Sequence, residues 1–97
     1  MTTTVRRTST KRLNAILADA ALITKYRDME TDVDIGAVSA EEAMSAFSRF
    51  DFSKAYLDGD GLLTLSVTSS HFYTAYPSRE VAQRRMTERA FKKYFSN

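Results

Sequence analysis

The chain has no cysteine, one proline and one histidine among its 97 residues. Without cysteine there is no disulfide framework and no thiolate metal site, which suits a reducing cytosol. One proline beside five tyrosines, six phenylalanines and 43% apolar residues describes a globular chain, not a disordered one. Long apolar runs are missing too: AILADAALI falls well short of a membrane span and contains Asp19. Phosphate loops of the GxGxxG or GKS/T type and the HExxH helix are absent. His71 is flanked by Ser69 and Ser70, but adjacent strand residues point to opposite faces, so the trio predicts no nucleophile–base pair. No catalytic residue, cofactor or metal site is expected.

What is present is charge, and it is segregated. Residues 1–27 carry six bases and one acid, residues 28–60 carry nine acids and two bases, and residues 61–97 carry six bases and two acids. The net +2 conceals blocks of +5, −7 and +4. Residues 1–18 contain no acid and are rich in threonine. They read either as a presequence or, more plainly, as a basic flexible tail over residues 1–9 leading into the first helix.

Length and patterning predict a single α+β domain over residues 1–97, with three helices packed on a three- to four-stranded, mainly antiparallel sheet. Leu13, Ile16, Leu17, Ala20 and Ile23 keep helical spacing and predict a helix from about Thr10 to Arg27. DMETDVDI follows as a short strand ended by Gly36. Ser39 and Glu42 form a capping box for a second helix with Ala40, Ala43, Met44, Phe47 and Phe50 on its apolar stripe. SKAYL-DGDG-LLTLSVT reads as a hairpin and HFYTAY as a third antiparallel strand. A final helix starts at Pro77–Ser78, with Ala82, Met86, Ala90 and Tyr94 in one row.

Asp28, Glu30, Asp32 and Asp34 alternate with Met29, Thr31, Val33 and Ile35. A calcium loop starting at Glu30 would also use Asp32, Asp34 and Glu41, but Ile35 occupies the position that needs glycine for the sharp turn. DGDG lacks a distal acid and is more economically a turn. In one strand the four acids would form a row roughly 20 Å long with steps of about 6.6–6.8 Å, a spacing of negative charge like that of a nucleic-acid strand. Glu41, Glu42, Asp58 and Asp60 would widen it into a patch able to occupy a basic channel meant for DNA. The plainer reading is an edge strand protected by charge from pairing with other chains. The opposite possibility is direct nucleic-acid binding by Arg85, Arg89, Lys92 and Lys93 on the last helix.

About a hundred residues, no cysteine, a compact α+β pattern, no catalytic motif and an acidic middle third together resemble the small phage-encoded anti-CRISPR proteins. The likeness is greatest to inhibitors of type I-F surveillance complexes and spans the whole chain. It implies a non-enzymatic inhibitor in the cytoplasm of an infected bacterial host, with no membrane association. Its partner would be the crRNA-guided complex and its Cas subunits, blocked in DNA binding or nuclease recruitment.

Overall fold

A computed structural model describes residues 2–4, 10–28, 30–31, 33–48, 55–68 and 70–96. Its elements in chain order are β1 (Thr2–Thr4), α1 (Thr10–Asp19), β2 (Leu22–Asp28), β3 (Val33–Val38), α2 (Ala40–Ser48), β4 (Ala55–Asp58), β5 (Leu63–Ser66), β6 (Phe72–Tyr76), α3 (Arg79–Arg85) and α4 (Glu88–Phe95). The strands make one sheet in the order β1-β4-β5-β6-β2-β3, antiparallel at every pairing. The α+β class stands. The counts expected from the sequence were too low: the described residues form four helices, and five longer strands extended at one edge by the three-residue β1.

Alternation places different helices on the two sheet faces. Ile23, Ala55, Leu63, Leu65, Tyr73 and Ala75 form one face and bury against Leu13 and Leu17 of α1 and Ala43 and Phe47 of α2. Leu22 and Tyr76, of opposite parity, face Val81, Ala82 and Met86 of α3 and its continuation, together with Phe91, Tyr94 and Phe95 of α4. Helix α2 begins as predicted, with the Glu42 amide donating to Ser39 Oγ at 3.0 Å. Leu63 and Leu65 are fully buried, and Val67 packs partly against the same core. Phe50 lies outside the described residues.

Four expectations need correction. The first helix stops at Asp19, and Leu22–Asp28 is an interior strand. Ile23 fits the helical stripe and the strand equally well, but Ile23, Thr24 and Tyr26 gain pairing on both sides in the sheet, a tertiary effect that overrides helical spacing. The Ala21 amide donates to the Tyr76 carbonyl at 2.8 Å, carrying the chain out of the helix and into the ladder. The acidic comb is not one strand either: Asp28 ends β2, Glu30 and Thr31 sit in the turn, and Val33 starts β3. The final helix is two, because Met86 is extended and the Thr87 hydroxyl accepts from the Ala90 amide at 3.1 Å, capping a new start. Thr2–Thr4, expected within a flexible tail, pairs with Tyr56–Asp58.

Candidate partner-binding surface

The hairpin places the acids in unlike surroundings. Asp28 Oδ1 accepts from the Glu30 amide at 2.9 Å, an Asx turn that shapes the tip. Asp34 is drawn inward, with its side chain only 20% exposed. Its Oδ1 accepts from the Gly36 amide at 2.9 Å, Tyr94 donates its hydroxyl to Oδ2, and Lys93 Nζ stands 3.6 Å from the same oxygen. Burial and this hydrogen bond push the Tyr94 hydroxyl well above the usual tyrosine value. Gly36 has φ +142°, a conformation L side chains rarely adopt, beside a register shift in the β2–β3 ladder. Asp32 lies outside the described residues.

Asp58 and Asp60, placed in the sequence-derived patch, hold α3 instead. Asp58 Oδ1 accepts from the amides of Asp60 at 2.9 Å and Leu62 at 3.0 Å, closing the DGDG turn. Its Oδ2 receives Arg85 Nη1 at 2.6 Å. Asp60 takes the same nitrogen at 3.1 Å and Arg84 Nη2 at 3.4 Å. Burial by itself raises the Asp58 pKa, but the bonds from Arg85, Leu62 and Asp60 and the Arg85 charge outweigh it and hold the group below the usual carboxylate value. Arg85 is raised in turn, chiefly by its hydrogen bond to Asp58.

The basic alternative is thinned by the same pairings. Arg85 is bound to Asp58 and Asp60, Lys93 approaches Asp34, and Lys92 lies 3.1 Å from Glu88. Of the four predicted nucleic-acid contacts only Arg89 has no ion pair among the described residues, and it is exposed.

Glu30, Glu41 and Glu42 are exposed and without an ion pair among the described residues. All three adjoin β3, which among the described residues has β2 on one side and no strand on the other. Glu30 precedes the strand, and Glu41 and Glu42 follow it on the first turn of α2. Between them Val33 is 46% exposed and Ile35 49% exposed, two of the three large apolar side chains so exposed among the described residues. Six residues span about 20 Å, so acids bracket an open strand edge with an apolar middle. Reading the octapeptide as one strand hid this arrangement. The signal available in the sequence was Asp28 followed two residues later by Glu30 and Thr31, an Asx-turn pattern between two β-prone runs.

His71, read from the sequence as the first residue of the third strand, instead precedes β6 and is half-buried. Because Thr68 and Ser70 sit on bends ahead of β6, Ser70 Oγ does reach His71 Nδ1, at 3.2 Å, contrary to the strand argument. Thr68 Oγ1 lies 3.0 Å from the same nitrogen while accepting from the Ser70 and His71 amides. The ring lines a cleft of about 440 Å³ with Lys25, Glu42 and Tyr73. No carboxylate bonds to the ring among the described residues, so the third member of a catalytic triad is missing there. Nor does any group of three His, Asp or Glu side chains among those residues form a metal site.

The described residues thus form an antiparallel sheet with a helix pair on each face and, at β3, an open, acid-flanked edge. No family model matches the chain, and neither a curated protein nor a solved structure matches it significantly. Among the described residues no helix is long and apolar enough to cross a membrane.

Proposed function

We propose that this protein is a non-enzymatic inhibitor that docks through the β3 edge and its flanking acids onto a basic surface of a nucleic-acid-handling complex. The crRNA-guided type I-F surveillance complex in a phage-infected bacterium is the partner that the sequence resemblance implies. The carrying observation is that, among the described residues, Glu30, Glu41 and Glu42 have no ion pair around an open strand while Asp34, Asp58 and Asp60 are engaged internally. An open edge offers backbone donors and acceptors for strand addition, and Val33 and Ile35 supply an apolar centre. Acids at both ends steer the docking toward Lys- and Arg-lined channels and oppose it at acidic ones. The mimic surface is therefore smaller than the eight-acid patch expected from the sequence.

The test is a competition. Labelled target duplex is shifted by the purified surveillance complex with and without this protein. The wild type should abolish the complex's shift and give no duplex shift alone. Glu30→Gln, Glu41→Gln and Glu42→Gln together, or Val33→Lys with Ile35→Lys, should weaken inhibition at least tenfold with the melting temperature retained. Asp60→Asn should leave inhibition unchanged. Full inhibition by both multiple variants would refute the edge, and a salt-sensitive duplex shift by the protein alone would favour α4 and Arg89.

A further inference from the structure

A second surface lies between α3 and α4, lined by none of the residues of the β3 edge. The Phe91 and Phe95 rings, one helical turn apart, stack with centroids 5.0 Å apart and planes inclined by 22°. The Arg79 guanidinium stands 5.5 Å from the first centroid and 5.8 Å from the second. Arg79 itself is exposed and has no carboxylate partner among the described residues, so its charge is offset only by the rings. These three side chains, with Gln83, Glu88 and Lys92, line a cleft of about 490 Å³. Both rings are only partly buried, each leaning on the Val81–Ala82–Met86 cluster with one side.

We infer that this cleft binds a nucleotide, with the base stacked against the Phe91–Phe95–Arg79 platform and the phosphate held by Arg79 and Lys92. The cavity falls within the usual range for small-molecule sites. An aromatic pair beside a planar guanidinium is a surface on which an unstacked base packs well, and it tolerates different bases because each has a π face. Gln83 offers both a donor and an acceptor to a base edge, and Glu88 an acceptor. The Lys92–Glu88 pair at the rim is exposed, 72% and 82% by side chain, so exchanging Glu88 for a phosphate costs little. A duplex keeps its bases stacked and does not fit, which separates this site from duplex binding by a basic helix. Glu30, Glu41 and Glu42 take no part, so failure here leaves the docking proposal untouched.

The experiment is a ¹H–¹⁵N NMR titration of the full chain with AMP, ribose 5-phosphate and inorganic phosphate in parallel. AMP should move the amide signals of Arg79, Gln83, Phe91, Lys92 and Phe95, and the two base-free probes should not at equal concentration. Phe95→Leu keeps the apolar contact while removing the ring, and it should weaken AMP binding roughly 5- to 150-fold, the usual worth of one stacked base. Arg79→Gln should weaken it at least fivefold with the melting temperature unchanged. Anisotropy of a labelled twelve-nucleotide oligoadenylate then identifies the source. Binding at least tenfold tighter than AMP assigns a single strand, equal affinity assigns a free nucleotide, and both support the cleft. Identical shifts with AMP and phosphate, or an AMP affinity indifferent to Phe95→Leu, would overturn the inference.

Discussion

Replacing Asp58 by asparagine tests whether the DGDG turn is a clamp on α3. The amide oxygen can still accept from the Asp60 and Leu62 amides, but its NH2 now meets the Arg85 N–H that Oδ2 received at 2.6 Å. A hydrogen bond to a charged group is worth about 1.5–3 kcal/mol, and an exposed ion pair under about 1 kcal/mol. Asp58 is 13% exposed and Arg85 40% exposed by side chain, which places the loss between the two, at about 1–2 kcal/mol. For a domain of this size that lowers Tm by roughly 5–15 °C. Asp58→Ala also forfeits the two turn bonds and should cost about 3 kcal/mol. Asp60, 40% exposed with its Arg85 bond at 3.1 Å, should cost no more than about 0.5 kcal/mol as asparagine. Thermal melts followed by circular dichroism, with an Asp58→Asn/Arg85→Gln double-mutant cycle, give both the ordering and the coupling. The folded-state pKa of Asp58 lies below its ordinary value, so its contribution is full above about pH 4 and is lost as pH falls through the folded pKa. The variant should accordingly lose less stability than the wild type between pH 5 and the acid limit. A Tm fall larger for Asp60→Asn than for Asp58→Asn, or zero coupling to Arg85, would refute the clamp.

Thr24 and Thr74 face each other across β2 and β6, almost fully buried, with neither hydroxyl hydrogen-bonded among the described residues. A buried hydroxyl without a partner costs about 1–3 kcal/mol, so Thr74→Val should raise stability by about 1 kcal/mol in urea unfolding; a fall would show that the hydroxyl is satisfied in solution. Tyr94, pushed upward by burial and by Asp34, should ionise well above the ordinary tyrosine range in an ultraviolet titration. Tyr94→Phe should remove that late component, and no change in the curve would refute the Tyr94–Asp34 bond.

Much of the fold was legible wherever one local signal stood alone. Ser39 with Glu42, the glycine-rich DGDG turn, and the alternation of Leu63 and Leu65 each name one structure, and each is found where it was read, although the strand ends at Ser66, one residue before Val67. Legibility failed where two signals competed or where tertiary pairing decided. Ile23 continues the stripe of Leu13, Ile16 and Leu17 yet belongs to the sheet, because the ladders of β3 and β6 are available only in three dimensions. The row Ala82, Met86, Ala90 and Tyr94 runs through a helix break that the Thr87 hydroxyl imposes. In the hairpin, alternation of acidic and β-branched residues satisfies a strand and a turn flanked by strands alike. The Asp28 carboxylate bonding the Glu30 amide favours the second.

Charge was the least legible property of the site, for a reason intrinsic to folding. A sequence counts acids and bases, but a partner meets only those that the fold leaves unpaired. Asp34 meets Lys93, and Asp58 and Asp60 meet Arg84 and Arg85, across 24 to 59 residues of chain that no local pattern connects. Three acids of the negative block thus cancel three bases of the positive one, weakening both the DNA-like row and the basic helix as long-range fields. Salt separates what remains. Screening removes the more exposed and longer Arg84–Asp60 contact before the closer Asp58–Arg85 one, in which Asp58 is largely covered, so the clamp outlasts the steering by Glu30, Glu41 and Glu42. Association governed by those three glutamates should therefore slow with ionic strength under conditions where the fold is unaffected, the behaviour that distinguishes a binding charge from a structural one.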